Sequence, residues 1–103
     1  MSVYQCSIIT PAGKVFDQKI TALSAHGVTG SFGILGMHAP MVVVLSSGPM
    51  NVKQDGKELF FALSSGILEV NAESNVTVFA DFAIKASSFE EAKDVAGHTT
   101  SNY

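Results

Sequence analysis

The chain has 103 residues, one cysteine, no tryptophan and a formal net charge of −3, and all six of its basic residues are lysines. An acidic chain without arginine lacks the basic stripe of a nucleic-acid binder and the planar fork that grips phosphate, while a lone cysteine excludes an internal disulfide and a thiolate zinc site. The length predicts one domain with a modest core, but 47% hydrophobic against 15% charged residues is greasy for so small a domain and predicts a surface that a partner covers.

The longest apolar run, 41–45, is strand-sized and far short of a membrane span. The opening Met1 to Ser7 carries no basic region, so no secretory signal is expected. Cys6 then fits a reducing compartment. Residues 3–9 read as a first strand, closed by Thr10-Pro11-Ala12-Gly13. Residues 14–17 and 19–25 follow, with Phe16, Ile20 and Leu23 as core candidates. Residues 41–45 are rich in β-branched side chains, and Ser46-Ser47-Gly48-Pro49 is read as their end. Strands at 50–54 and 58–64 flank Asp55-Gly56, a hairpin dipeptide suited to positive φ at both central positions. Residues 67–71 and 76–80 complete the set, the last with Val76, Val78 and Ala80 on one face and Thr77 and Phe79 on the other. Short strands at this spacing predict a sandwich or barrel.

The pattern changes near residue 87. Ser88-Phe89-Glu90-Glu91 fits a capping box, opening a helix from Phe89 to about Val95 that ends at Gly97. Two turns are too few to stand alone in water. The predicted organisation is a β-sandwich over 1–86 and a short helical stub with a polar tail over 87–103.

No motif assembles a catalytic or ligand site. Gly27, Gly30, Gly33 and Gly36 recur every third residue, but four repeats without proline build no collagen. A β run rather than a helix follows them, so a dinucleotide loop is excluded. They read as turns, bulges or close backbone packing, or as a loop lying against another subunit. His26, His38 and His98 have no metal-ligand spacing, so no metal is expected. His38 reads either as a loop histidine bonded to backbone or as an interface contact. Ser64-Ser65-Gly66 lacks the leading glycine and the helix of a nucleophile elbow. Cys6 alternates with Tyr4 and Ile8 and reads as a packed side chain. Glu90, Glu91 and Asp94 complement a helix N-terminus. The residues alone describe an all-β, non-enzymatic interaction domain.

Three blocks then carry a resemblance. Gly30-Ser31-Phe32-Gly33-Ile34-Leu35 with His38-Ala39-Pro40-Met41 resembles the G-x-FGILPGHAP signature of the epsilon subunits of F-type ATP synthases. Phe61-Ala62-Leu63-Ser64-Ser65-Gly66-Ile67-Leu68-Glu69-Val70 is similar to that family's F-A-V-S-G-G-F-L-E-V, and Asn75-Val76-Thr77-Val78-Phe79-Ala80-Asp81 to its N-K-V-T-V-L-A-D. The opening, Tyr4 to Phe16, matches as well, so the resemblance covers about residues 3–93 in family order. It implies a ten-stranded β-sandwich on the central stalk that binds the gamma subunit and rests on the polar loops of the c-ring, coupling proton flow to ATP synthesis without chemistry of its own. By position, Thr10, His38, Met41 and Val43 would meet gamma, and Gly30, Ser31 and Phe32 would lie in a loop facing the c-ring. No cofactor, nucleotide or metal is implied. The location implied is peripheral, on the cytoplasmic face of a bacterial inner membrane or the stromal face of a thylakoid.

Departures from the family pattern matter too. Gly36-Met37 stands where the family has Pro-Gly, which loosens a turn, and Ser65 stands where a glycine is common. Family members that bind ATP carry [IL]-D-x-x-R-A; here Phe89-Glu90-Glu91-Ala92-Lys93-Asp94 holds Lys93 at the arginine position. Lysine does not replace arginine at a bidentate phosphate site, so no ATP sensing is expected. The family's inhibitory two-helix hairpin is not expected either. The alternative, a free-standing β-sandwich adaptor, accounts for the apolar surplus but not for three motif blocks in order.

Overall fold

Alternation decides the architecture. A computed structural model describes residues 3–37 and 39–100, with backbone only for 98–100. In β1 (Tyr4–Thr10) every second side chain is buried: Tyr4, Cys6, Ile8 and Thr10. The period of two places them on one face of the strand. The same rhythm orders β3 (Ala22–Gly27), β5 (Met41–Leu45), β8 (Gly66–Val70) and β9 (Val76–Ala80), whereas β2 (Gly13–Ile20) buries only Phe16 and Ile20. With β4 (Gly30–Leu35), β6 (Gly48–Gln54), β7 (Lys57–Leu63), β10 (Ala83–Ala86) and the helix α1 (Phe89–Thr100), the described residues form ten strands and one helix.

The strands lie in the order β10-β7-β6-β3-β5-β8-β9-β1-β2, with β4 paired to β3. All pairings are antiparallel except β1 with β9. β3 turns the sheet from one layer to the other: Ala22, Leu23 and Ser24 pair with β6, whereas only Gly27 meets β5, at Leu45. Gly27 suits this corner, since a Cβ there would come within 3.3 Å of both the Gly30 carbonyl and Val43. The opposite seam is closed by Thr21, whose amide donates to the Lys53 carbonyl at 2.8 Å, and by the Gln54 amide, which donates to the Gln18 side chain and to the Lys19 carbonyl. The result is a sandwich closed nearly into a barrel.

Its interior holds Ile8, Ile20, Ile34, Leu45, Met50, Phe61 and Leu68, all essentially inaccessible. Phe16 meets Phe61 edge to face with centroids 5.4 Å apart, a favoured aromatic geometry. The Tyr4 hydroxyl donates to the Ile34 carbonyl at 2.5 Å, tying β1 to the edge strand β4. Outside the sheet, α1 packs on β7 and β10 through Ala62, Ala86, Ala92 and Ala96. The Glu91 amide donates to Ser88 Oγ at 3.1 Å, as the capping box requires. The return bond reaches one residue further back than predicted: Glu91 Oε1 accepts from the Ser87 amide at 2.7 Å.

The structure corrects several boundaries. Residues 14–20 form one strand rather than ending at Asp17, and the break falls at Thr21, where the bonds to Lys53 turn the chain. Gly48 and Pro49 open β6 instead of ending β5. Proline is tolerated at a strand start because the missing donor is not needed there. β4 and β10 are additional strands. The helix passes Gly97 and reaches Thr100, since Gly97 meets no steric conflict and adopts no positive φ.

Candidate functional site

The strand register assembles an apolar row on the outside of the sheet. Val44 pairs with Ile67, Ile67 with Phe79, and Phe79 with Ile9. Their partners in alternation face the core, so these side chains face out. Val44, Ile67 and Phe79 are 53%, 46% and 45% exposed, and Ile9 is half-buried. The adjoining row runs Val42, Glu69, Thr77, Ser7 and Asp17. An open groove of about 390 Å³ borders the first row, lined by Ile9, Thr10, Pro11, Ile67 and Phe79. Beneath it β8 and β9 touch so closely that a Cβ on Gly66 would sit 2.0 Å from the Phe79 carbonyl oxygen.

The residues proposed for partner contact fall around this face in different ways. Thr10 is buried at the end of β1 and lines the groove; its Oγ1 donates to the Gly13 carbonyl and accepts from the Ala12 amide, both at 3.2 Å. It therefore shapes the β1–β2 turn. Met41 and Val43 are half-buried and pack inward on the core, leaving Val42 and Val44 as the outward residues of β5. His38 lies outside the described residues. Gly30, Ser31 and Phe32 belong to β4 rather than to a loop; the turn before them is Val28 and Thr29. Gly30 has φ +134°, which favours glycine. Ser31 Oγ lies 3.0 Å from His26 Nδ1, and Phe32 packs against the core. Val42, Val44, Ile67 and Phe79 were visible in the alternation of their strands, but only after the inward positions are known does the outward set become a patch.

Electrostatics sharpen the boundary of the face. At its β2 side Asp17 accepts from Lys14 Nζ at 2.9 Å, Ser7 Oγ at 2.8 Å and Gln5 Nε2 at 2.7 Å. These bonds, that of Lys14 foremost, lower its pKa to about 2. Cys6 is buried behind the face. Burial, with a smaller contribution from the Asp17 charge, pushes its thiol up to about 12, so it is not a thiolate nucleophile near neutrality. Burial, with the Cys6 charge second, also raises the Tyr4 phenol. Among the described residues no three His, Cys, Asp or Glu side chains converge as metal ligands, and no helix is long and apolar enough to cross a membrane. Lys93 lies on α1, exposed, at the rim of a second groove lined by His26, Ser46, Ser47 and Phe89. The arrangement suits protein contact through an apolar sheet face.

Comparison with known proteins agrees with this geometry. The family described as "ATP synthase, Delta/Epsilon chain, beta-sandwich domain" matches residues 3–86. The "ATP synthase epsilon chain" of Acinetobacter baylyi is 39% identical over 93 residues, covering 89% of this chain and 66% of the relative. That of a Psychrobacter species is 36% identical over 96 residues, covering 92% and 69%. The chain thus spans about two thirds of the length of these curated relatives. Two solved assemblies share the fold. A chain of the Euglena gracilis mitochondrial ATP synthase (OSCP/F1/c-ring) superposes with TM-score 0.77 at 20% identity, over 82% of this chain and 54% of that one. A chain of the Tetrahymena thermophila mitochondrial ATP synthase central stalk and c-ring gives 0.70 at 16%, over 95% and 88%. Ten strands in a closed sandwich, three motif blocks in order and a family match over 3–86 lead to one assignment: the chain belongs to the ATP synthase delta/epsilon family, as an epsilon-type chain.

Proposed function

We propose that this chain is a non-catalytic rotor subunit of an ATP synthase central stalk, seated between gamma and the c-ring and helping couple proton flow to ATP synthesis. The observation that carries the reading is the outward row Val44, Ile67 and Phe79 beside the Thr10 groove. An apolar row this exposed on a well-packed domain favours a permanent partner. Gamma is the proposed occupant of that face, with Thr10, Met41 and Val43 acting from behind it as its scaffold; His38, proposed as a further gamma contact, lies outside the described residues. The proposed c-ring contact is the β3–β4 turn with Gly30, Ser31 and Phe32. The sandwich of residues 1–86 is proposed to carry both contacts, and the stub of residues 87–103 neither. Lys93 at the arginine position supports a stub without nucleotide sensing. The subunit would be held at the membrane through the complex, on its cytoplasmic side.

The test is reconstitution. Purified chain mixed with gamma, alone and within the catalytic portion, is expected to co-elute with it, and an Ile67→Asp variant is expected to bind at least tenfold more weakly. No detectable binding of the unaltered chain to gamma would sink the proposal. A free-standing adaptor would stay monodisperse and gain no thermal stability when gamma is added.

A further inference from the structure

Strands β1, β5, β8 and β9, which build the outward face, contain one Asp, Glu, Lys or Arg between them: Glu69. It flanks the apolar row directly, on the same outward face. Val42 is its cross-strand neighbour on β5 and Thr77 on β9, while Ile67 precedes it by two positions on the same face, opposite Val44. Any partner that covers Val42, Val44 and Ile67 together must also cover Glu69. The exposed carboxylates nearby are handled differently. Asp17 is held by Lys14, Ser7 and Gln5, whereas no side-chain hydrogen bond or ion pair among the described residues engages the Glu69 carboxylate. The nearest lysines in the sheet register, Lys14 and Lys19, both stand on β2, three strand spacings or about 14 Å from β8, and Lys14 is committed to Asp17.

Covering a carboxylate with an apolar surface strips its water and returns nothing, a cost that a cation of the partner offsets. We infer that the partner seated on this face is a protein surface carrying a lysine or arginine set within an apolar ridge, and that Glu69 is the residue that selects it. This rests on the reading of the face as the gamma site. The ridge fills the row of Val44, Ile67 and Phe79; the cation meets Glu69 and fixes the register of the two surfaces. The pairing gives specificity and a salt-sensitive approach, and it needs no arginine from a chain that has none.

The experiment measures gamma binding to the unaltered chain, Glu69→Gln, Glu69→Lys and Ile67→Asp across a salt series, with thermal melting as a folding control. Glu69→Gln keeps the shape of an exposed side chain, so its melting temperature is expected to be unchanged. Its affinity is expected to fall about tenfold with a flatter salt dependence, and that of Glu69→Lys at least a hundredfold. Unchanged or tighter binding by Glu69→Gln, with the salt slope intact, would overturn the inference while leaving the gamma site in place. Loss of Ile67→Asp binding without any effect of either Glu69 variant would do the same. Failure of the unaltered chain to bind gamma, or full binding by Ile67→Asp, would remove the gamma site itself and the inference with it.

Discussion

Strand β7 borders two regions that are packed by opposite means. On its inner side Phe61 enters a core of Ile, Leu, Phe and Met side chains. On its outer side Ala62 meets Ala86 of β10 and Ala92 and Ala96 of α1. Burying a large aliphatic or aromatic side chain stabilises by roughly 1.5–3 kcal/mol, against about 0.8 kcal/mol for a single methyl or methylene. The sandwich therefore stands on bulk, and the helix on proximity: alanines let its backbone approach the sheet but contribute little each. A twelve-residue helix is marginal in isolation, so its cap and its alanine seat together decide whether it stays.

The largest test of this contrast is Phe61→Ala. Removing a fully buried ring that also meets Phe16 is expected to cost about 4 kcal/mol, read as a lowered midpoint in urea with all β signal lost together. Next comes Gly66→Ala, which forces a methyl against the Phe79 carbonyl. Parting β8 from β9 is expected to cost about 3 kcal/mol and to perturb the outward apolar row while sparing the helix. Ser88→Ala removes the acceptor for the Glu91 amide and should cost about 1 kcal/mol. If the regions are separable, helical circular dichroism falls first and the sandwich midpoint stays; a joint shift would show one cooperative unit. The smallest effect is that of Asp17. Its folded pKa of about 2 lies below its unfolded value, so its contribution is present above about pH 4 and is lost as pH falls toward 2. Asp17→Asn should flatten the stability profile across that window and change little at neutral pH; an unchanged acid limb would contradict it.

The same contrast explains what could be read before the fold was known. Strands that build the core announced themselves by period two: Tyr4, Cys6 and Ile8, or Val76, Val78 and Ala80, are inward as expected. Asp55-Gly56 turns with φ of 51° and 76°, as its chemistry demands. β4 was hidden because Gly30 and Gly33 dilute β-propensity, although Phe32 and Ile34 keep the alternation. β10 is four residues long, too short for a period. The substituted turn behaves instructively: Met37 takes φ 65°, a left-handed conformation that glycine adopts more readily than a side chain with a Cβ. Ser65 needs no positive φ, and the steric demand falls on Gly66 instead. For the candidate site, the resemblance names Met41 and Val43, which the fold places on the inner side of β5. Which face of β5 is exposed depends on its pairing with β8, a contact between distant segments that no local pattern encodes.

One pairing sets the order in which the molecule is made. β1 lies between β2, its immediate successor, and β9, which it meets in parallel through Cys6 to Ile9 and Val76 to Phe79. The β1–β2 pairing closes within the first twenty residues, but the other edge of β1 waits for Val76–Phe79, some seventy residues further along the chain from Cys6. Loop closure over that span is slow compared with a hairpin. The face that bears Ile67 and Phe79 therefore comes into being only once β9 has joined β8 and β1, long after the first hairpin has closed.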